Sequence, residues 1–108
     1  MTEFVASLEL VGKTAEGAVI DIVATIGKPY PVVGQQDIDE WACAVSLEPL
    51  FSRLHPAHGQ GSFQALCLAK NLLLDLLTAF VERGGSLVHK DGAAFNPELY
   101  GFVGKPNT

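Results

Sequence analysis

The stretch from Ser62 to Arg83, SFQALCLAKNLLLDLLTAFVER, constrains this chain most. Ser62 stands where an N-cap belongs, and Gly84-Gly85 supplies a stop with a left-handed C-cap, so the spacing predicts one long helix between them. Unrolled at about 100° per residue, Gln64, Asn71, Asp75, Thr78 and Glu82 fall on one stripe only about 60° wide. Leu66, Ala69, Leu73, Leu76, Leu77 and Phe80 lie roughly opposite and are expected to face a sheet. The flanks are apolar as well, with Phe63, Cys67, Leu74 and Val81 on one side and Leu68 and Leu72 on the other. A surface helix of a monomer usually has a wider polar face. Two covers are open: the Pro49–Gly61 loop with the C-terminal aromatics, or another chain. The second makes Leu68 and Leu72 candidate partner contacts, in a homodimer or with a different protein. A membrane span is not expected, because Lys70, Asn71 and Asp75 interrupt the leucine-rich run.

A lone helix of this kind needs a sheet to pack on, and the rest of the sequence offers one. Phe4, Ala6, Leu8 and Leu10 share one parity with Ser7 and Glu9 on the other, which predicts a half-buried strand. The turn Gly12–Gly17 leads into Ala18–Ile26, a β-branched run whose weaker alternation suggests cover on both faces. Gly27-Lys-Pro-Tyr-Pro31 breaks the ladder. Trp41–Leu47 reads as a third strand, Pro49–Gly61 as a loop and Ser86–His89 as a fourth strand before the turn Lys90-Asp91-Gly92. The expectation is therefore a single α+β domain over residues 1–108. Its antiparallel sheet has about four strands in the order β-β-β-α-β, with one long helix on one face. A chain of 108 residues, 48% hydrophobic and 18% charged, can form such a core without metals or disulfides.

Seven basic against twelve acidic residues give a net charge of −5. That balance argues against nucleic acid and anionic membrane as partners and favours a basic protein. MTEFVASLEL has no basic start, so no signal peptide is expected. Cys43 and Cys67, without a CxxC, read as reduced, buried thiols, and a cytoplasmic location is expected.

Candidate chemistry concentrates in His55–Ser62. His55 and His58 are three residues apart, but Pro56 and Gly59 place them in a loop, and zinc needs three or four ligands. No metal or cofactor is expected. Gly59, Gly61 and Ser62 open the helix, where backbone N–H groups can hold an anion, although neither a P-loop nor G-x-G-x-x-G is present. With His55 and His58 they form the candidate ligand site. Asp37, Asp39 and Glu40 form an acidic cluster suited to a basic partner surface. No G-x-S-x-G and no activated cysteine occur, so no catalytic residue is assigned.

Across Leu8–Gly101 the pattern resembles a family of short bacterial proteins that carry a domain of unknown function. The residues that carry the likeness are Ile26-Gly27-x-Pro29, Trp41-x-Cys43, Gly61-Ser62-Phe63-Gln64-Ala65-Leu66, Gly84-Gly85 and Asp91-Gly92. These motifs are structural, and the resemblance implies no activity and no catalytic residues. In size, acidity and layout the chain is also similar to bacterial immunity proteins, which bind and block a toxin. The function expected is a non-enzymatic protein-interaction module, an immunity-type inhibitor being one form. The alternative is a small-molecule-binding protein or enzyme that uses the His55–Ser62 loop.

Overall fold

A computed structural model of the chain describes residues 4–33 and 40–100. Strands β1 (Phe4–Lys13) and β2 (Val19–Gly27) form the expected antiparallel hairpin, in one register from Ala6 opposite Ile26 to Lys13 opposite Val19. The turn closes on Thr14, whose carbonyl accepts from Gly17 N–H (2.9 Å) and whose Oγ1 accepts from Ala18 N–H (3.0 Å). β5 (Val45–Glu48) pairs with β2, and β7 (Ser86–His89) with β1, so this antiparallel sheet runs β5-β2-β1-β7. Alternation along β2 is cleaner than its β-branched run suggests. Ile22 and Ala24 are buried while Asp21 and Val23 are exposed, so one face of the sheet is open.

Three further strands make a second small sheet, β3 (Tyr30–Pro31), β4 (Trp41–Cys43) and β6 (Ala57–Gly59), in the order β3-β4-β6. The single strand expected over Trp41–Leu47 is therefore two, which change sheets at Ala44. Pairing is Ile26 with Val45 on one side of this corner and Tyr30 with Ala42 on the other, a register shift of one residue. The corner is held by Gly27 N–H donating to Ala44 O (2.8 Å) and by the Cys43 thiol donating to Gly27 O (3.2 Å). Pro31 is tolerated because β3 is an edge strand. The loop expected over Pro49–Gly61 contains β6, a three-residue strand too short to show alternation, which is recruited by pairing with β4.

Helix α1 (Ser62–Glu82) spans both sheets. Its first turns abut β6, where a Cβ on Gly59 would come within 2.7 Å of Ala65 N. Near its end, Phe80 lies against Gly12 of β1 and Gly85. The buried line is Ala65, Ala69, Leu73, Leu74 and Leu77. Ala69, Leu73 and Leu77 were expected there; Leu66, Leu76 and Phe80 pack on the core at half burial, and Ala65 and Leu74 take the central places. By length (21 residues) and mean hydropathy (1.5) α1 matches a membrane span, so Lys70, Asn71 and Asp75 do not break the run to the extent expected. In this fold its inner line is occupied by the two sheets.

The N-terminus of α1 differs from expectation. Gly61, at φ 153° and ψ 162°, occupies the N-cap, Ser62 is already helical, and no side-chain hydroxyl caps the first turn. Instead Gln64 reaches back, its Oε1 accepting from Gln60 N–H at 2.5 Å. The C-terminus is as expected. Gly84 turns at φ +98°, its N–H donates to Val81 O (3.0 Å), and Gly85 N–H donates to Phe80 O (3.1 Å), which together make a Schellman closure. After β7, the turn at Lys90–Gly92 closes with His89 N–H donating to Ala93 O (2.8 Å). Phe95 returns to the core with its ring edge-on to His89 (5.6 Å) and stacked on Tyr100 (5.3 Å), the last residue of a short 3-10 turn, Pro97–Tyr100.

Replacing Gly84 by Ala forces a Cβ into a left-handed backbone and to 2.9 Å from the Ala15 Cβ. It should cost about 1 kcal/mol or more. Leu77→Ala, at the centre of the core, should cost about 2–5 kcal/mol. Urea denaturation of both variants checks this, and an unshifted midpoint for Gly84→Ala would show that the helix does not end on this glycine.

Candidate functional site

β1 has ten residues and β7 has four. β7 pairs only with Leu10–Lys13, so among the described residues Phe4–Glu9 has no strand on its outer edge. The register with β2 shifts between Phe4 and Ala6, which places a bulge at Val5. This half of the strand is apolar yet open: Phe4 is 60% and Val5 54% exposed, although Phe4 and Ala6 were expected on the buried face.

The direction of the free backbone groups follows from the ladder. His89 N–H is committed to Ala93 O, away from β1. Leu10, opposite His89, therefore turns its own N–H and C=O toward β2, while Val11, opposite Val88, turns its groups toward β7. Stepping back by twos, Leu8 bonds toward β2, whereas Glu9 and Ser7 point their N–H and C=O outward along the open edge.

Beneath this edge the sheet and α1 diverge and leave a groove of about 540 Å³. Its floor is Leu8, Ala24 and Ile26; its far wall is Leu66, Cys67, Leu73, Leu74 and Leu77; Val5, Ala6 and Tyr100 stand at its mouth. The lining is predominantly apolar, with Ser7, Lys70 and Tyr100 as the residues that carry polar side-chain groups apart from the Cys67 thiol. Lys70 is the one charged residue in the lining. Glu9, next along the edge, sits 3.6 Å from Lys90 of β7 in an exposed ion pair. An apolar groove alongside an unpaired edge accepts chemistry of one sort: a backbone strand with apolar side chains on one face, or a ligand that is itself apolar.

The residues singled out from sequence do not converge on one place. His58 lies on β6 and faces Glu40, Nδ1 to Oε2 2.6 Å, with both side chains partly solvated. His55 instead lines a separate hollow of about 360 Å³ with Val45, Phe51, Arg53 and Leu54. Gly59 packs on the first turn of α1, and Gln60 N–H, one residue before the N-cap, is taken by Gln64. Gly61 and Ser62 stand at that helix end without a side-chain cap. Asp37 and Asp39 lie outside the described residues. Leu68 is exposed, and Leu72 is half-buried and packed on the core. Neither lines the groove, which opens on the opposite flank, that of Cys67 and Leu74. Among the described residues no group of three or more His, Cys, Asp or Glu side chains is placed to hold a metal ion.

The two thiols differ in kind. Cys43 is fully buried, and burial pushes its thiol above the ordinary range, where it stays protonated and inert. Cys67 is partly exposed and lines the groove. No family model, curated protein or solved structure matches this chain.

A sequence reading missed the groove because it compared strands by pattern and not by length. The signal was present in the contrast between the Glu3–Val11 run and the four-residue Ser86–His89 run. In highly dilute native protein, one thiol per chain should react quickly with a maleimide, and peptide mapping should place it at Cys67. Cys43 should react only on unfolding. Two fast thiols would contradict the burial of Cys43, and none would contradict an accessible groove.

Proposed function

We propose that this chain is a non-enzymatic protein-interaction module that works through the groove between β1, β2 and α1 and the open edge of β1 beside it. The observation that supports this reading most is the coincidence of the two features. An apolar groove alone suits many occupants. An edge whose Ser7 and Glu9 amides and carbonyls lack partners among the described residues asks for another backbone, which a protein supplies. Part of the apolar surface of α1 is explained in the same way, since the partly exposed Leu66 and Cys67 would be covered by the partner.

The likeness to immunity proteins supports an interaction role in kind. The net charge of −5 favours a basic partner for the surfaces away from the groove, and a cytoplasmic setting suits the two free thiols. A second reading is favoured by the volume of the groove, which falls in the range of small-molecule sites: an apolar ligand held against Leu66 and Leu74 with Lys70 at its polar end.

A photo-crosslinking amino acid placed at Ala6, at the groove mouth, separates the two readings in the native cell. The interaction reading expects a protein adduct from Ala6 and none from a control at Ser52, which lines the other hollow. A small-mass adduct at Ala6 without a protein adduct would favour the ligand reading and contradict the first.

A further inference from the structure

We propose that the partner at this surface, taking the groove-and-edge reading as given, is a second copy of the chain, paired antiparallel through residues 4–9 of β1 about a two-fold axis at Ser7. The backbone directions carry this. Ser7 points both its N–H and its C=O outward, so a two-fold at this residue sets Ser7 of one copy against Ser7 of the other as a pair exchanging two hydrogen bonds. Glu9 of each copy then falls opposite the Val5 bulge of the other, and Ala6 opposite Leu8. The two four-stranded sheets become one of eight, and both helices lie on the same face with their grooves toward the axis.

Charge is compatible with this closure. Each copy carries −5 overall, but the only acidic side chain on the described part of the edge, Glu9, is already matched by Lys90 of its own chain at 3.6 Å. The groove adds only the positive Lys70. Two copies therefore meet without setting unpaired acidic side chains against each other, and the like charges brought toward the axis are one Lys70 from each copy. The edge also lacks the devices that keep such strands apart. Phe4–Glu9 has no proline and no lysine, and apart from the bulge at Val5 nothing turns it away from a neighbour. Apolar side chains are open here as well: Phe4 and Val5 are exposed on the edge, and Val5 and Tyr100 line the groove. A stable dimer needs roughly 800 Å² from each partner, so the proposed contact extends from the six-residue strand onto the groove and the helix flank beside it.

Sedimentation velocity on the full chain, loaded from nanomolar to high micromolar, tests this alongside circular dichroism. The wild type should approach twice 11.5 kDa as loading rises. Ser7→Pro removes an outward N–H that has no strand partner among the described residues, a position where proline is tolerated, so the fold should persist while the dimer weakens at least about tenfold. Val5→Lys places a charge at the groove mouth and should have the same effect, and it serves if the proline variant unfolds. Leu68→Lys, on the opposite flank, should leave the dimer intact. A wild type that stays at 11.5 kDa at every loading overturns the proposal, as does a dimer indifferent to both edge variants or one dissociated by Leu68→Lys. If the wild type is a monomer while Ala6 crosslinks a different protein in the cell, the interaction reading stands and the second copy is ruled out.

Discussion

The burial of one helix line, Ala65, Ala69, Leu73, Leu74 and Leu77, against two sheets at once is the contact on which the remaining structure depends. Small residues near the start of that line let the helix approach β6 closely enough that Gly59 has no room for a side chain. Larger ones further on fill the space over β1 and β2 with Leu10, Ile22 and Ala24. A single four-stranded sheet would leave the first turns of α1 bare. The corner at Gly27 and Ala44 solves this by carrying the chain out of one sheet into the other and back, at the cost of a one-residue register shift.

The same arrangement explains where the surface is left unfinished. Cover over β1 comes from β7, which lasts four residues, and from the return of Phe95 and Tyr100. From Leu10 toward Phe4 no strand among the described residues accompanies β1 on that side while α1 runs on above it, and the space between them is the groove. Apolar surface there is therefore a consequence of unequal strand lengths. Part of the apolar girth of α1 follows from the same fact, one part facing two sheets and another the groove, while Phe63, Leu68 and Val81 stand exposed.

The layout of the fold was legible in the sequence where periodicity was strong. The β1–β2 hairpin, the span of α1 and the Gly84-Gly85 stop all come from patterns in which local preference and packing agree. The second sheet was not legible, because β3 and β6 have two and three residues and exist only through pairing with β4. The serine at the start of α1 misled, since Gly61 adopts a backbone that places Ser62 inside the helix. The histidines drew attention for their chemistry, yet His55 and His58 enter different surroundings because β6 intervenes. Of the helix flanks, the sequence showed that both were apolar but not which one a sheet edge would accompany.

Amide hydrogen exchange resolved to single residues of β1 tests the central claim most directly, since it reads the open edge itself. In dilute protein, Leu8 and Leu10 should be protected by their bonds to β2, while Ser7 and Glu9 exchange freely. As concentration rises, Ser7 and Glu9 should slow and Leu8 and Leu10 should change little. Protection of Ser7 and Glu9 at every dilution would show that the edge is already covered within a single chain, and rapid exchange at every concentration would show that no second copy pairs with it.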